Sequence, residues 1–476
     1  MHVLVIGGGI SGLAAAYQLL ASGARVTVLE AGARLGGKLR AGSIAGTAAV
    51  DLGAESMLAR RPEAVDLARA VGLGDRLQPP SVSGGAIWTR GAVRPMPKGH
   101  LMGVPGDPAA LGGVLSPEGL ARIAEDGRLP RTEVGDDVAI GEYVARRLGR
   151  EVVDRLVEPL LGGVYAGDAY RISMRAAVPQ LYEAARAERS LLAAVRAVQD
   201  RAAAQPASHS PVFLGIEGGI GRLPQAVAEA CTAKGADIRL HTPVRELRRG
   251  PSGVGWLAVT DAEALSADAV VVATPAPAAA RLLAPHAPGA AALLDEVEYS
   301  SMALVTLAFR RSEADRVPDG SGFLVPPVDG RAIKAATFSA HKWSWVAEQD
   351  PSLFVLRTSL GRYGEEQLLE RDDAELVELS LRDLRAATGL EARPVDTLVS
   401  RWDGGLPQYP VGHPQRVAAI QAATDALPGL AVAGAVYEGV GIPACVASGQ
   451  RAARHVLEAP ASAESVNENG EKTSHE

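Results

Sequence analysis

The hydrophobic positions of the chain fall into short apolar runs and into longer stretches where they recur every three or four residues. Residues 3–6 and 25–29 are apolar runs that predict two buried strands, and helical spacing between them predicts a connecting helix. A further apolar run at residues 269–272 ends shortly before Pro275 and predicts a buried strand followed by a helix. Strands dispersed among helices in this order predict the α/β class.

In the middle of the chain the apolar residues follow other spacings. Residues 117–204 carry apolar positions at helical spacing, among them Ile140, Val144 and Leu148, and predict a helical insertion. Within this insertion the glycine-rich segment 162–168 is expected to be a turn. Strand-like runs lie at residues 304–309, 322–325 and 354–359, a charged helix is predicted at 372–387, and a last helix is predicted to begin near residue 442.

A dinucleotide-binding fingerprint lies between the first two predicted strands. Gly7, Gly9 and Gly12 form the pattern G-x-G-x-x-G directly after the first strand, and Glu30 follows the second strand. Glycines at these places permit a tight turn, close approach of a pyrophosphate to the backbone, and close packing of helix on strand. The helix N-terminus attracts the pyrophosphate, and the acid accepts hydrogen bonds from the adenosine ribose. The chain is therefore expected to bind an adenine dinucleotide.

Composition and charge narrow the class of protein. The net charge of −7 and the pI of about 5.8 argue against nucleic acid as a partner. Two cysteines, Cys231 and Cys445, and scattered histidines predict neither a disulfide framework nor a metal site. Because no apolar stretch reaches the ~20 residues of a transmembrane helix and no signal peptide is predicted, we expect a cytoplasmic protein. The tail at residues 459–476 is rich in Ser, Glu and Asn and is expected to be disordered.

The residues after Glu30 separate flavin enzymes from nicotinamide enzymes. Segment 30–38, E-A-G-A-R-L-G-G-K, resembles the E-A-x-x-R-x-G-G segment of the FAD-binding amine oxidase superfamily. The strand and glycine-rich loop at residues 430–443 agree, because enzymes that bind only NAD have no need of a second such junction at the cofactor. Within the superfamily, the chain up to the tail is similar to HemY-type bacterial porphyrinogen oxidases of haem biosynthesis. That similarity rests on residues 53–56, 60–61, 95–99, 157–168, 322–326, 406–409 and 439–445.

The resemblance implies which residues contact FAD and the substrate. FAD contacts are expected from Gly7, Gly8, Gly9, Ile10, Ser11, Gly12, Glu30, Ala31, Lys38, Gly53, Ala54, Glu55, Ser56, Val244, Trp402, Val440, Gly441 and Ile442. Substrate contacts are expected from Arg60, Arg61 and Tyr165. Many relatives have Pro-Asp where this chain has Ala54-Glu55, which leaves the side-chain contact near the flavin open. No acid–base catalytic residue is expected, because the flavin carries the redox chemistry.

The roles of two basic side chains and one cysteine each have two interpretations. Arg61 either holds a substrate propionate or remains a solvated neighbour of Arg60. Lys342, within His341-Lys342-Trp343, suggests a lysine beside the flavin, but a lysine at a strand end with its ammonium in solvent is preferred. Cys445 suggests a covalent flavin, whereas a small buried cysteine at a helix start is preferred.

The expected architecture is a Rossmann-type FAD-binding domain built from discontinuous segments, with a mixed-sheet substrate domain and a helical insertion. The FAD-binding domain is expected at residues 1–80, 206–285 and 401–458. The substrate domain is expected at residues 81–116 and 286–400, the helical insertion at 117–205, and the disordered tail at 459–476.

The resemblance also implies a reaction. It is the FAD-dependent six-electron oxidation of coproporphyrinogen III to coproporphyrin III, with O₂ as the acceptor. The alternatives are the oxidation of protoporphyrinogen IX to protoporphyrin IX, a flavin amine oxidase or carotenoid desaturase, and a porphyrin-binding flavoprotein without turnover. Expected partners are the porphyrinogen, O₂ and the next enzyme of the haem pathway, and the chain is expected to be a monomer or a homodimer.

Overall fold

The computed structural model describes residues 1–46, 48–82, 84–204, 211–251 and 253–458. The tail for which disorder is predicted, residues 459–476, lies outside the described residues, as does the start of the segment expected at 206–285. The described ranges contain no helix with the length and apolar character needed to cross a membrane.

A five-stranded parallel sheet gathers segments from both ends and the middle of the chain. The strand His2–Ile6 pairs in parallel with Arg25–Leu29 on one side and with Ala269–Val272 on the other. Across the sheet the strand order is Asp237–Arg239, Arg25–Leu29, His2–Ile6, Ala269–Val272 and Leu430–Val432. Parallel neighbours need crossover connections, which explains why the strands lie so far apart in sequence.

Helices cover both faces of the parallel sheet, so its central strands are apolar throughout. Val3 and Val5 face one core, which includes the first helix, and Leu4 and Ile6 face the other. This alternation follows from the two-residue period of a strand. The helices are Ile10–Ala21, Pro62–Ala70, Arg222–Ala233, Ala276–Leu283, Pro288–Asp295, His413–Asp425 and Ile442–Glu458.

A seven-stranded mixed sheet forms the second large layer. Its longest strands, Tyr299–Arg310 and Asp396–Pro407, run antiparallel. In order, the strands are Asp396–Pro407, Tyr299–Arg310, Leu353–Leu360, Ile333–Thr337, Gly322–Leu324, Ala86–Thr89 and Ala92–Pro95. The helices Ser339–Lys342, Ser344–Gln349 and Asp373–Thr388 pack with it around a separate core.

Smaller sheets and short helical turns connect these layers. The small sheets consist of Val244–Arg249, Trp256–Thr260 and Ala264–Ala267; Met57–Leu58, Phe213–Ile216 and Leu77–Gln78; Ala41–Ile44 and Ala48–Asp51; and His100–Leu101 and Val104–Pro105. Single 3₁₀ turns lie at Gly74–Arg76, Pro108–Leu111, Arg311–Glu313, Pro327–Asp329 and Glu366–Glu370.

A helical layer with its own core lies between residues 117 and 203. It consists of Pro117–Ala124, Ile140–Leu148, Arg150–Val152, a π-helical turn at Val153–Val157, Glu158–Tyr165, Met174–Ala177, Pro179–Ala187 and Leu191–Ala203. The turn expected at residues 162–168 is therefore wrong in its first half, because the helix continues through Gly162 and Gly163 to Tyr165 and is followed by Ala166, whose φ is +48°.

Candidate functional site

The glycine loop after the first strand has the shape of a pyrophosphate cradle. A Cβ atom at Gly7, whose φ is +109°, would lie 2.6 Å from the carbonyl oxygen of Ala273, and one at Gly12 would overlap the carbonyl of Gly7. A Cβ at Gly9 would meet no atom within 4 Å in the described structure. Packing thus requires glycine at positions 7 and 12, whereas Gly9 leaves a face open at the start of the helix Ile10–Ala21. This open face, bordered by Ile10 and Ser11, fits a dinucleotide phosphate.

Glu30 lies across the glycine loop at the end of its strand. Its Oε2 accepts a hydrogen bond from the Gly8 amide at 2.7 Å, and its Oε1 accepts one from the Gly32 amide at 2.7 Å. The backbone of Glu30 also bonds to Arg239 and Thr242, which brings the chain leading to Val244 to the same place. A half-buried carboxylate beside the loop, next to exposed Ala31, fits the hydroxyls of an adenosine ribose.

The second glycine pair extends this surface away from the ribose end. The amide of Gly36 donates to the carbonyl of Gly8 at 2.8 Å. Gly36 and Gly37 both have positive φ, and a Cβ on Gly37 would lie 3.3 Å from the Cα of Gly9. Lys38 follows with its ammonium 3.2 Å from the Gly404 carbonyl oxygen. Solvent reaches Lys38, yet the surrounding protein lowers its pKa to about 8, as expected for a side chain that stands in a cleft.

Lys38, Gly53 and Trp402 border this cleft and lie together although they are distant in sequence. The indole Nε1 of Trp402 donates to the carbonyl of Leu52 at 2.7 Å. A Cβ at Gly53 would lie 3.1 Å from the Trp402 ring, so only glycine allows the approach of the indole. The loop continues through exposed Ala54 to Glu55 and half-buried Ser56.

Glu55 is buried and holds two cations. Its carboxylate pairs with the ammonium of Lys342 and, at 3.1 Å, with the guanidinium of Arg357. Burial alone would raise the pKa of Glu55, but Arg357 and Lys342 lower it to about 2. Arg357 also donates to the carbonyl of Gly53 at 2.7 Å. The side chain of Glu55 therefore anchors the loop from within.

The preferred interpretation of Lys342 is wrong. Lys342 ends a short helix, Ser339–Lys342, rather than a strand, and its ammonium is held by Glu55 rather than by solvent. Neither Lys342 nor Arg357 is predicted from the sequence as a partner of Glu55. Sequence patterns give little indication that these two residues contact the loop 53–56, because that loop lies about 300 residues earlier in the chain.

The two ends of the chain meet behind the glycine loop. A Cβ at Gly449, in the last helix, would overlap the carbonyl of Ser11 in the first helix, so the two helices touch backbone to backbone. Val440 and Gly441 lead into that last helix, which begins at Ile442. Cys445 lies in its first turn, 7% exposed, where burial raises the pKa of its thiol to about 11. A raised pKa fits a packed, unreactive cysteine at a helix start.

The expected substrate residues are in two places. Arg60 is exposed, and Arg61 forms an ion pair with Glu63 at 2.8 Å. Tyr165 is buried in the helical layer, with its ring 5.7 Å from that of Tyr409. The hydroxyl of Tyr409 accepts a hydrogen bond from the Gly439 amide at 2.9 Å and donates to the carbonyl of Ala435. Tyr165 is thereby connected to the loop before Val440.

The described ranges contain no cluster of three or more histidine, cysteine, aspartate or glutamate side chains suited to a metal ion. The polar groups around the cleft are instead backbone amides, the carboxylate of Glu30, which fits the ribose hydroxyls, and several basic side chains. Such a set fits a dinucleotide with an extended aromatic end.

Comparison with known proteins agrees with this geometry. A model of the family described as flavin containing amine oxidoreductase matches residues 10–457. The chain is 37% identical over 464 residues to the coproporphyrinogen III oxidase of Mycobacterium tuberculosis, and the match covers 96% of this chain and 97% of that protein. It is 31% identical over 484 residues to the protoporphyrinogen oxidase of Bos taurus, covering 96% and 98%. A crystal structure of a protein from Exiguobacterium sp. 255-15 superposes with a TM-score of 0.83 at 32% identity, over 96% of this chain and 98% of the other.

Proposed function

The chain belongs to the flavin-containing amine oxidoreductase family, and from that premise we propose that it oxidises coproporphyrinogen III to coproporphyrin III. The predictions of an α/β fold, of FAD as cofactor and of an oxidoreductase are confirmed. The choice of coproporphyrinogen III as substrate rests on the full-length similarity to a coproporphyrinogen III oxidase at 37% identity. We further propose that the protein works in the cytoplasm as a monomer or homodimer and passes its product to the next enzyme of haem synthesis.

The proposed reaction removes six electrons and six protons from the porphyrinogen. FAD, when bound, supplies the two-electron acceptor for each of three rounds, and three O₂ molecules become three hydrogen peroxide molecules. The chain's own groups bind and orient the reactants. Gly9 and the start of the helix Ile10–Ala21 would hold the pyrophosphate, and Glu30 would hold the ribose.

The remaining predicted residues would position the aromatic end of the cofactor and the substrate. Glu55, fixed by Lys342 and Arg357, keeps the loop 53–56 in one conformation beside Trp402. The amides at the start of the helix Ile442–Glu458 would stabilise negative charge at the cofactor. On the substrate side, Arg61 is proposed to bind a propionate, with Arg60 and Tyr165 at the edges of the cleft.

Oxidation of protoporphyrinogen IX is the second candidate, because the full-length relatives include a protoporphyrinogen oxidase. The two substrates differ in charge, since coproporphyrinogen III has four propionates and protoporphyrinogen IX has two. A more positively charged entrance to the substrate site should therefore favour coproporphyrinogen III.

Anaerobic mixing with each porphyrinogen tests the proposal. The FAD-loaded protein should lose its oxidised flavin absorbance on addition of coproporphyrinogen III and should regain it when O₂ is admitted, with porphyrin fluorescence rising in parallel. The kcat/KM for coproporphyrinogen III should exceed that for protoporphyrinogen IX. Normal FAD content without bleaching by either substrate would contradict the oxidase, and a higher kcat/KM for protoporphyrinogen IX would establish the second candidate. Bleaching by simple amines instead would point to an amine oxidase.

A further inference from the structure

Lys334 is a buried lysine whose ammonium the fold does not use. It lies in the mixed-sheet strand Ile333–Thr337 and is 7% exposed. Among the described residues, its Nζ has no hydrogen-bond partner. Burial, together with the nearby guanidinium of Arg362, lowers the pKa of Lys334 to about 7. At that pKa Lys334 is only partly charged near neutral pH while it has no partner, and an anion that reached its Nζ would stabilise the ammonium form.

Lys334 lines a small pocket, with a cavity volume of about 20 Å³, between the mixed sheet and the helical layer. The helix Glu158–Tyr165 forms one wall, and Val325 and Arg362 form part of the other. The pocket is too small for a tetrapyrrole ring, so only the carboxylate end of a substrate side chain could reach into it.

Two glycines leave part of the helical wall of this pocket without side chains. Gly162 and Gly163 have ordinary helical backbone, and a Cβ on either would come no closer than 3.8 Å to its neighbours. Neither backbone conformation nor packing therefore requires glycine here, although glycine is unfavourable inside a helix. What the two glycines provide is space opposite Lys334.

The other charged groups near the pocket have opposing effects on an anion. Arg362 is fixed by hydrogen bonds to the carbonyls of Val325 at 3.3 Å and Ile333 at 3.1 Å and adds positive potential. Glu365, 3.4 Å from the Arg362 guanidinium, offsets part of that potential. Glu158 accepts a hydrogen bond from the Ala169 amide at 2.7 Å, and burial raises its pKa to about 7. Because Glu158 is then partly protonated at neutral pH, it opposes an incoming carboxylate less than an ordinary glutamate would.

We propose that Lys334 binds one propionate side chain of the porphyrinogen in this pocket. The proposal rests on the proposed function, and it adds a binding contact from the mixed-sheet strand Ile333–Thr337. The helix that carries Gly162 and Gly163 ends at Tyr165, whose ring lies beside Tyr409, and Tyr409 bonds to Gly439. The pocket is therefore connected through two aromatic rings to the loop expected to contact the flavin.

The test compares Lys334→Met with wild type in the FAD-loaded full chain. The probes are coproporphyrin III, which has four carboxylates, and its tetramethyl ester, which has none, and the dissociation constants are measured by quenching of protein fluorescence. We expect Lys334→Met to weaken binding of coproporphyrin III about 10-fold, since a charge-assisted contact is lost, and to leave binding of the ester unchanged. Lys234→Met removes an exposed lysine and serves as the matched control, with wild-type affinity for both probes.

Three further results decide the matter. Lys334→Arg should restore most of the affinity for coproporphyrin III, because the cation is kept. The Tm of Lys334→Met should equal or exceed that of wild type, because an unpaired buried charge is removed. A Lys334→Met protein that fails to fold would overturn the proposal, because the ammonium would then serve the fold.

Equal affinities of wild type and Lys334→Met for coproporphyrin III would also overturn the proposal, as would a matching loss of affinity for the ester. If wild type itself bound no porphyrin and its flavin was not bleached by porphyrinogen, the proposed function would fail instead. If wild type passes those tests and Lys334→Met behaves like it, only the assignment of Lys334 fails.

Discussion

The guanidinium of Arg357 donates to the carbonyl oxygen of Gly53 at 2.7 Å and pairs with the carboxylate of Glu55 at 3.1 Å. One side chain from the middle of the mixed sheet thus holds both the backbone and an acidic side chain of the loop 53–56. Lys342 completes the arrangement from the other side of Glu55. Because all three charged groups are largely buried, each is needed to compensate the others.

Removing Arg357 should therefore destabilise the protein and weaken FAD binding. In Arg357→Met, Glu55 stays buried with one cation instead of two, and the Gly53 carbonyl loses its donor. We expect a loss of about 3–5 kcal/mol in the free energy of unfolding, measured with denaturant, and a lower FAD content after purification. Arg245→Met breaks the exposed pair with Asp261 and should leave both quantities unchanged. Equal FAD content in the two variants would contradict a role for Arg357 at the cofactor.

Asp51, just before this loop, should make stability depend on pH. Burial, opposed by Arg357 and reinforced by the neighbouring Glu55, raises the pKa of Asp51 to about 7. The folded protein therefore binds the proton more tightly than the unfolded chain, whose aspartate titrates near 3.8. The stability from this proton is complete below that value and is lost as the pH rises from about 4 to about 7. The upper limit of the loss is on the order of 4 kcal/mol.

Asp51→Asn should remove that dependence, because an amide has the same shape and still accepts the hydrogen bond from the Gly221 amide. Its Tm, followed across this pH range, should fall less than that of wild type. Asp66→Asn, at an exposed position, is the control and should follow wild type. Parallel Tm profiles for wild type and Asp51→Asn would mean that folding does not raise the pKa of Asp51.

The cofactor end of the fold could be predicted from sequence because its signals are local. Residues 3–6, the glycine loop and Glu30 lie within one strand–helix–strand unit, and each has a distinctive pattern. The anchoring of Glu55 could not be predicted in this way. Lys342 and Arg357 stand next to aromatic and apolar residues that look like any sheet or helix edge, and only the tertiary fold brings them to Glu55.

The glycine pair at 162 and 163 shows a second limit of sequence patterns. Glycine weakens a helix by roughly 1 kcal/mol relative to alanine, which is why a turn was expected there. Packing of Leu161 and Tyr165 into the helical core outweighs that weak preference, and the helix continues to Tyr165. The same glycines border the Lys334 pocket. The low helix propensity of glycine is therefore overcome next to a proposed binding site.

Gly9 offers a test of the cofactor cradle that separates binding from folding. Its φ of −72° suits alanine, and a Cβ would meet no described atom within 4 Å. Gly9→Ala should therefore leave the free energy of unfolding of the FAD-free protein unchanged or raise it by up to ~1 kcal/mol. The added methyl would occupy the face proposed for the pyrophosphate, so the dissociation constant for FAD should rise at least about 10-fold.

Gly127→Ala is the matched control, because Gly127 is exposed and a Cβ there would likewise meet no described atom within 4 Å. Both variants should unfold like wild type when FAD is absent, and only Gly9→Ala should lose FAD. Wild-type FAD affinity in Gly9→Ala would place the pyrophosphate elsewhere.

Tyr409 should control the loop that leads into the last helix. Its hydroxyl joins the Gly439 amide to the carbonyl of Ala435, while its ring stacks on His413 with centroids 3.8 Å apart. Tyr409→Phe keeps the ring and removes the hydroxyl, which leaves both backbone groups without this partner at a cost of about 1–3 kcal/mol. Amide hydrogen exchange at residues 434–441 should become faster, and FAD should dissociate more readily. Tyr17→Phe, whose hydroxyl makes only a 3.4 Å contact with the Ala70 carbonyl, is the control. Exchange at 434–441 that is no faster in Tyr409→Phe than in Tyr17→Phe would show that other contacts hold this loop in place.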